Sequence, residues 1–239
     1  MFKPDASAEI IPFPTQKPPY ETFVVVTGSH GFIGKHLVRK LIALGYNTML
    51  FDIKQRPEQD ICSGEFPKAD WCFHLAALTD AQCGDYAAMR AINYYGTRRV
   101  LETYQDKTIY TSTSAIYYPG TPYADSKIEA ERTAREHWAR TVRLCNIFGP
   151  GGHGVIDHFT RSDVLRIRGR GTQLRTYAHV NHAVIALIRQ MKQPPGNLHI
   201  LPGAHLTVNE IAYTFFAGKP REYVPQNVLD LEHAPQVYA

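Results

Sequence analysis

Long apolar runs are missing from this chain: none of its 239 residues lies in anything near the roughly 20 consecutive apolar residues that a bilayer crossing needs. The opening MFKPDASAEI also lacks the apolar core of a secretory leader. Both absences point to a cytoplasmic protein with no membrane partner. Cysteine is scarce, and Cys62, Cys72, Cys83 and Cys145 form no CxxC pair and no disulfide-like spacing. That argues against a disulfide-stapled fold and predicts buried, reduced thiols. The histidines do not supply a metal centre either. His179 and His182 on a predicted helix, and His153 and His158 in a glycine-rich stretch, have no carboxylate or cysteine to complete a set, so packing and capping account for them and no metal is expected.

Strong charge of one sign is lacking too. The net charge is only +4, with 20% charged and 44% hydrophobic residues, which fits a globular protein rather than a disordered one. The arginines concentrate at Arg161, Arg166, Arg168, Arg170 and Arg175, a patch suited to phosphate groups or to a plain solvated face. Nucleic acid is not an expected partner.

What is present reads as alternating strands and helices. Pro4, Pro12, Pro14, Pro18 and Pro19 make residues 1–21 an extended arm without a helix of its own. Phe23-Val24-Val25-Val26 is a short strand buried on both faces, followed by the loop TGSHGFIG and an amphipathic helix from Phe32 to Leu44 that Gly45 closes. Thr48 to Phe51 is a second strand, ending at Asp52. Apolar runs at Trp71 to Ala76, Thr108 to Tyr110 and Thr141 to Cys145 alternate with helical stretches near 85–104 and 124–139. This is the rhythm of an α/β, Rossmann-type doubly wound parallel sheet. Only seven residues separate Asp52 from Asp60, fewer than a helical crossover needs, so a pared-down sheet edge is expected there. The expected layout is a dinucleotide-binding domain over 22–150, to which 179–195 return as a helix, and a small substrate lobe from 151–178 and 196–239.

Two constellations carry chemistry. Gly28, Gly31 and Gly34 stand between a strand and a helix, where glycine permits a tight turn, close approach to a pyrophosphate at the helix N-terminus, and helix–strand packing. Asp52, about twenty residues on, suits the adenosine ribose hydroxyls and repels a 2′-phosphate, which favours NAD over NADP. The second is Tyr123-Ala124-Asp125-Ser126-Lys127. A free phenol has a pKa of about 10, and an ammonium group one helical turn away favours its phenolate, making Tyr123 a base able to take a proton from a sugar or alcohol hydroxyl.

In their shared order, TGSHGFIG, Asp52, Asp60-Ile61, HLAAL at 74–78, Asn93-Tyr94-Tyr95-Gly96-Thr97, TSTSAIY at 111–117, YADSK at 123–127, RLCNIFGPGG at 143–152 and GRGTQLRTYAHV at 169–180 resemble the extended short-chain dehydrogenase/reductases of the NAD-dependent epimerase/dehydratase family, over about Phe23 to Pro225. The resemblance implies cofactor contacts from Gly28, Gly31, Phe32, Ile33, Gly34, Asp52, Asp60, Ile61, Leu75, Ala76, Ala77, Asn93, Tyr123 and Lys127. It implies a catalytic set of Thr113, Tyr123 and Lys127, with Thr113 bonding the reacting oxygen. It puts Asn146, Gln173 and Arg175, together with Thr113, on a nucleotide-sugar substrate. Dehydratases of the group carry a carboxylate shortly after the catalytic threonine, where this chain has Ser114 and Ala115. GDP-fucose synthases resemble them with a cysteine at the position of Ala115. The implied activity is therefore a nucleotide-sugar 4-epimerase working as a homodimer through the helices of Asn93 to Tyr104 and Tyr123 to Ala139. The alternatives are a keto-sugar or carbonyl reductase, and a catalytically silent cofactor-sensing or RNA-binding protein. Relatives have more chain after the Gly-Pro turn and at the C-terminus, so the substrate lobe is expected to be reduced.

Overall fold

The computed structural model describes residues 17–79 and 85–225. Residues 1–16 of the arm, Cys83, and 226–239 of the expected lobe lie outside them. Strand β1 (Phe23–Thr27) is central, with Val24, Val25 and Val26 wholly buried, as a parallel strand covered on both faces requires. Helix α1 (Phe32–Ala43) buries Gly34, Leu37, Val38 and Leu41, one face at helical spacing, and leads to β2 (Asn47–Phe51). Residues 52–70 hold turns and neither helix nor strand. Then follow β3 (Trp71–His74), α2 (Tyr86–Arg90), a π-helical turn (Ala91–Gly96), α3 (Thr97–Tyr104), β4 (Thr108–Thr113), α4 (Pro122–Glu136) and β5 (Arg140–Leu144).

The rest of the chain builds β6 (Asn146–Phe148), α5 (Val155–Arg161), β7 (Leu165–Arg168), β8 (Leu174–His179), α6 (Val180–Arg189), β9 (Leu198–Ile200), β10 (Ala204–Thr207), α7 (Val208–Phe215) and β11 (Arg221–Val224). The main sheet is six-stranded, in the order β2-β1-β3-β4-β5-β9, and every pair in it is parallel. The chain moves from β1 outward to β2 and then across to β3. The switch point of the topology, where ligands of open α/β sheets bind, therefore lies at the carboxyl ends of β1 and β3. Strand β2 is one edge of the sheet and β9 the other. Helices α1 and α6 cover one face, where Leu37, Val38, Leu41, Val180, Ala183, Val184 and Leu187 join Val24, Val26 and Phe73 in one core.

Three expectations are corrected. The arm is not wholly extended, because Pro19–Glu21 close a 3-10 turn with Pro19, whose ring fixes φ, at its first position. The chain leaves the main sheet at Leu144 rather than at 150, since β6 pairs with β8 in a second sheet of order β10-β8-β6. The assignment of 196–239 to the lobe fails at Leu198–Ile200, which extend the main sheet beside β5. The remaining pair, β11-β7, packs Leu165 and Ile167 with Phe159 and Ile211 in a small core of its own.

Candidate active site

The glycine loop is built by contacts that admit no side chain. Gly28 has φ +69°, and a Cβ on it would lie 2.6 Å from the Ala76 nitrogen; one on Gly34 would lie 2.1 Å from the Gly28 oxygen. Gly31 precedes α1 and offers no side-chain cap, so the first-turn amides of Phe32, Ile33 and Gly34 keep the positive end of the helix free for an anion. Asp52 is buried at the end of β2. Its Oδ2 accepts the His30 N–H at 2.8 Å and its Oδ1 the Lys54 N–H at 2.8 Å, which fixes the carboxylate beside the loop with lone pairs left for hydroxyl donors. This uncapped helix end, close backbone approach and anchored carboxylate fit a dinucleotide.

The other expected cofactor residues sort into two kinds. Leu75 and Ala76 donate to the Thr27 carbonyl (3.1 Å) and the Thr27 Oγ1 (3.3 Å), so the stretch running to Ala77 is laid against the glycine loop. Asp60 accepts the Cys62 N–H at 2.8 Å, while the Ile61 side chain is buried with Val25, Phe51 and Val100. An adenine contact from Ile61 is thus left to its main chain. Asn93, fully buried in the π-helical turn, clamps Leu78 from both sides: its Oδ1 accepts the Leu78 N–H (2.8 Å) and its Nδ2 donates to the Leu78 carbonyl (2.9 Å) and to Ser126 Oγ (3.1 Å). It positions the loop after β3 against α4.

Thr113, Tyr123 and Lys127 come together. Thr121 caps α4 by accepting the Ala124 N–H, and Pro122 starts the helix, so Tyr123 stands in its first turn at the end of β4. There the Thr113 and Tyr123 hydroxyls are hydrogen-bonded. Lys127 lies one turn deeper, buried, donating to the Thr111 carbonyl at 2.7 Å and lying 4.4 Å from the centre of the Tyr110 ring. The electrostatics correct one expectation. Burial raises the Tyr123 pKa, the Thr113 hydrogen bond opposes that rise, and the ammonium, turned to Thr111, adds no lowering of its own. Burial also brings Lys127 down to about 7, against the opposing pull of Glu131.

Sequence reasoning missed the groups behind this pair. His74, the first residue of HLAAL, bonds Thr27 Oγ1 through Nδ1 (2.7 Å) and Thr97 Oγ1 through Nε2 (2.9 Å). Burial and then the Lys127 charge push it down to about 3, so it is a neutral strut. Glu131 accepts from Ser112 and Arg143. Its signal was available as a carboxylate four residues beyond Lys127 on the same helix face.

The substrate-side residues are held less firmly. Asn146, exposed on β6, donates to the Thr176 carbonyl at 3.0 Å, and Arg175 on β8 donates to the Leu174 carbonyl at 2.8 Å while its charge acts on Tyr118, just beyond the Thr113 turn. Gln173 donates to the Arg168 carbonyl at 3.1 Å, which ties it into the lobe. His179 caps α6, its Nδ1 accepting the Asn181 N–H.

A parallel sheet with a glycine loop at its switch point and a tyrosine–lysine helix beside it defines a dinucleotide-dependent enzyme of the short-chain dehydrogenase type. The model of the NAD dependent epimerase/dehydratase family matches residues 24–200, and the chain belongs to that family, whose enzymes act on nucleotide sugars with NAD. Among curated proteins it is similar to the UDP-N-acetyl-alpha-D-glucosaminuronate decarboxylase of Bacillus cytotoxicus, 27% identical over 71% of each chain. It is also similar to the dTDP-D-glucose 4,6-dehydratase of Homo sapiens, 26% identical over 74% of this chain and 67% of that one. Among solved structures it resembles MoeE5 in complex with UDP-glucose and NAD, with a TM-score of 0.76 and 25% identity over 87% of this chain and 86% of that one.

Proposed function

We propose that the protein epimerises a nucleotide sugar with NAD, by removing hydride from one ring carbon and returning it to the opposite face. The observation that carries this over the dehydration named for one of its relatives is the turn after Thr113. Ser114–Tyr117 close it as a 3-10 helix, Ala115 donates its N–H to Thr113 Oγ1 at 3.1 Å, and no residue from Ser114 to Gly120 is acidic. Eliminating water needs an acid on the leaving hydroxyl, and this turn offers none.

Gly28, Gly31 and Gly34, the Phe32 and Ile33 amides, and Asp52 would hold the cofactor, the carboxylate favouring NAD over NADP. Bound NAD supplies the hydride acceptor and, after oxidation of the substrate, the hydride donor. Tyr123 takes the proton of the sugar hydroxyl as the carbonyl forms and gives it back when the alcohol is restored. Thr113 bonds the same oxygen and, through its hydrogen bond to the phenol, opposes the rise that burial gives the Tyr123 pKa. Asn146 and Arg175 face the nucleotide diphosphate, for which a guanidinium supplies a planar pair of donors. The same reading makes the protein a homodimer, packed through the helices of Asn93 to Tyr104, where Tyr95 is exposed, and of Tyr123 to Ala139. A monomer in analytical ultracentrifugation at micromolar concentration would remove that part.

The test is incubation with NAD and UDP-glucose, UDP-glucuronate or dTDP-glucose, followed by mass spectrometry and NMR of the sugar. An epimer leaves the mass unchanged, whereas loss of water or of carbon dioxide would overturn the assignment. Tyr123→Phe should lower turnover about a thousandfold and leave NAD binding intact. A second reading, reduction of a carbonyl, has support from the 2-alkyl-3-oxoalkanoate reductase of Stenotrophomonas maltophilia, 24% identical over 68% of this chain. Protein purified with NAD tightly retained would count against it.

A further inference from the structure

Behind the tyrosine–lysine pair lies a second charged set that the proposed chemistry does not use. Glu131 is buried on α4, one turn beyond Lys127, as Lys127 is one turn beyond Tyr123. Its Oε2 accepts the Ser112 hydroxyl at 2.6 Å, and both carboxylate oxygens accept from Arg143 of β5, the Nε donating at 3.1 and 3.2 Å and Nη2 also donating. The remaining arm of that guanidinium, Nη1, donates to the Tyr117 hydroxyl at 2.7 Å. Ser112 immediately precedes Thr113, and Tyr117 ends the turn that follows it.

We propose that Glu131 is a positioning residue of the site: one buried carboxylate ties both ends of the Thr113 segment, Ser112 directly and Tyr117 through Arg143, to the helix that carries Tyr123 and Lys127. Only five residues join Tyr117 to Tyr123, and the carboxylate fixes the Thr113 hydroxyl against the phenol across that short connection. Its charge has a second effect. Lys127 faces Tyr123 and Glu131 along its own helix, the Tyr110 ring and Thr111 carbonyl on β4, and the His74 imidazole on β3. Of these, the Glu131 carboxylate is the group that favours the charged amine against burial. The inference rests on Tyr123 and Lys127 as the proton-handling pair.

The experiment needs no substrate. Protein labelled with [ε-13C]lysine and [ζ-13C]tyrosine is titrated by NMR, with the two resonances assigned as those missing from Lys127→Arg and Tyr123→Phe. In Glu131→Gln, Lys127 should titrate about one pH unit lower than in wild type, and Tyr123 should move to higher pH as its bond to Thr113 loosens. Glu131→Asp, which keeps the charge, should hold Lys127 close to its wild-type titration. Either resonance titrating as in wild type in folded Glu131→Gln overturns the inference. If that variant does not fold, because the part-buried Arg143 is left without its carboxylate partner, the double variant Glu131→Gln, Arg143→Met removes both charges and is judged by the same two titrations. A wild-type protein that turns over no sugar would sink the proposed function and leave these titrations valid.

Discussion

On the cofactor side Thr27, His74, Asn93, Ser112, Lys127 and Glu131 are all buried, and each is bonded to an element distant in sequence. On the lobe side Asn146 is exposed and Arg166 and Arg168 stand on the outer face of β7. Asn146, Gln173 and Arg175 donate to nearby main-chain carbonyls. The first region is a rigid frame in which a changed residue leaves a buried group unpaired, at a cost of about 1–3 kcal/mol each. The second is a frame of small sheets with adaptable side chains on it. In the proposed reading, one chain thus separates two tasks, with the cofactor held by the buried frame and the substrate left to the side chains of the small sheets.

The sharpest way to break this contrast is Gly34→Ala. A methyl group 2.1 Å from the Gly28 oxygen meets main chain rather than a flexible side chain, so α1 must move away from β1. Loss of about 4 kcal/mol or more in urea unfolding, together with loss of NAD binding by calorimetry, is expected. A stable variant that binds NAD would show the loop to be as adaptable as the lobe. Lys127→Met sharpens the contrast from the other side. With the folded pKa near 7 and the unfolded one near 10.5, the unfolded chain binds more protons between those values. The folding penalty of the ammonium is therefore full below about pH 7 and fades as pH rises towards 10.5. Lys127→Met should be more stable than wild type at pH 6, by about 1–4 kcal/mol, and the gap should close at higher pH while turnover stays lost. Equal unfolding midpoints at pH 6 would contradict it.

The same contrast explains what could be read in the sequence. Gly28, Asp52, Tyr123 and Lys127 stand out because backbone contact or helical spacing leaves little freedom at those positions, and the parallel sheet showed in its β-branched runs. The sheet edge at Asp52 was legible from the shortage of chain. What stayed hidden depends on pairing between distant segments. Nothing local says that Leu198–Ile200 join β5, that Asn93 grips Leu78, or that Ser112 and Arg143 share one carboxylate. Nor does a four-residue spacing tell that the Lys127 ammonium turns to the Thr111 carbonyl, which depends on burial and on where the β4 carbonyls lie.

The smallest effect expected belongs to the lobe. Arg175 is only partly buried on β8, where its Nη1 donates to the carbonyl of the preceding residue. Stability should stay within about 0.5 kcal/mol of wild type, and NAD affinity should not move. What is lost in Arg175→Ala is a guanidinium near Tyr118, at the mouth of the Thr113 turn, and, in the proposed function, a charged hydrogen bond to a diphosphate, worth about 1.5–3 kcal/mol. The KM for a nucleotide sugar should therefore rise about tenfold or more, with kcat within a factor of about two, because Arg175 grips a part of the substrate that does not react and so binds ground state and transition state alike. A fall in kcat instead would show that the lobe aligns the sugar over Tyr123, and the two regions would then share the work of the reacting centre.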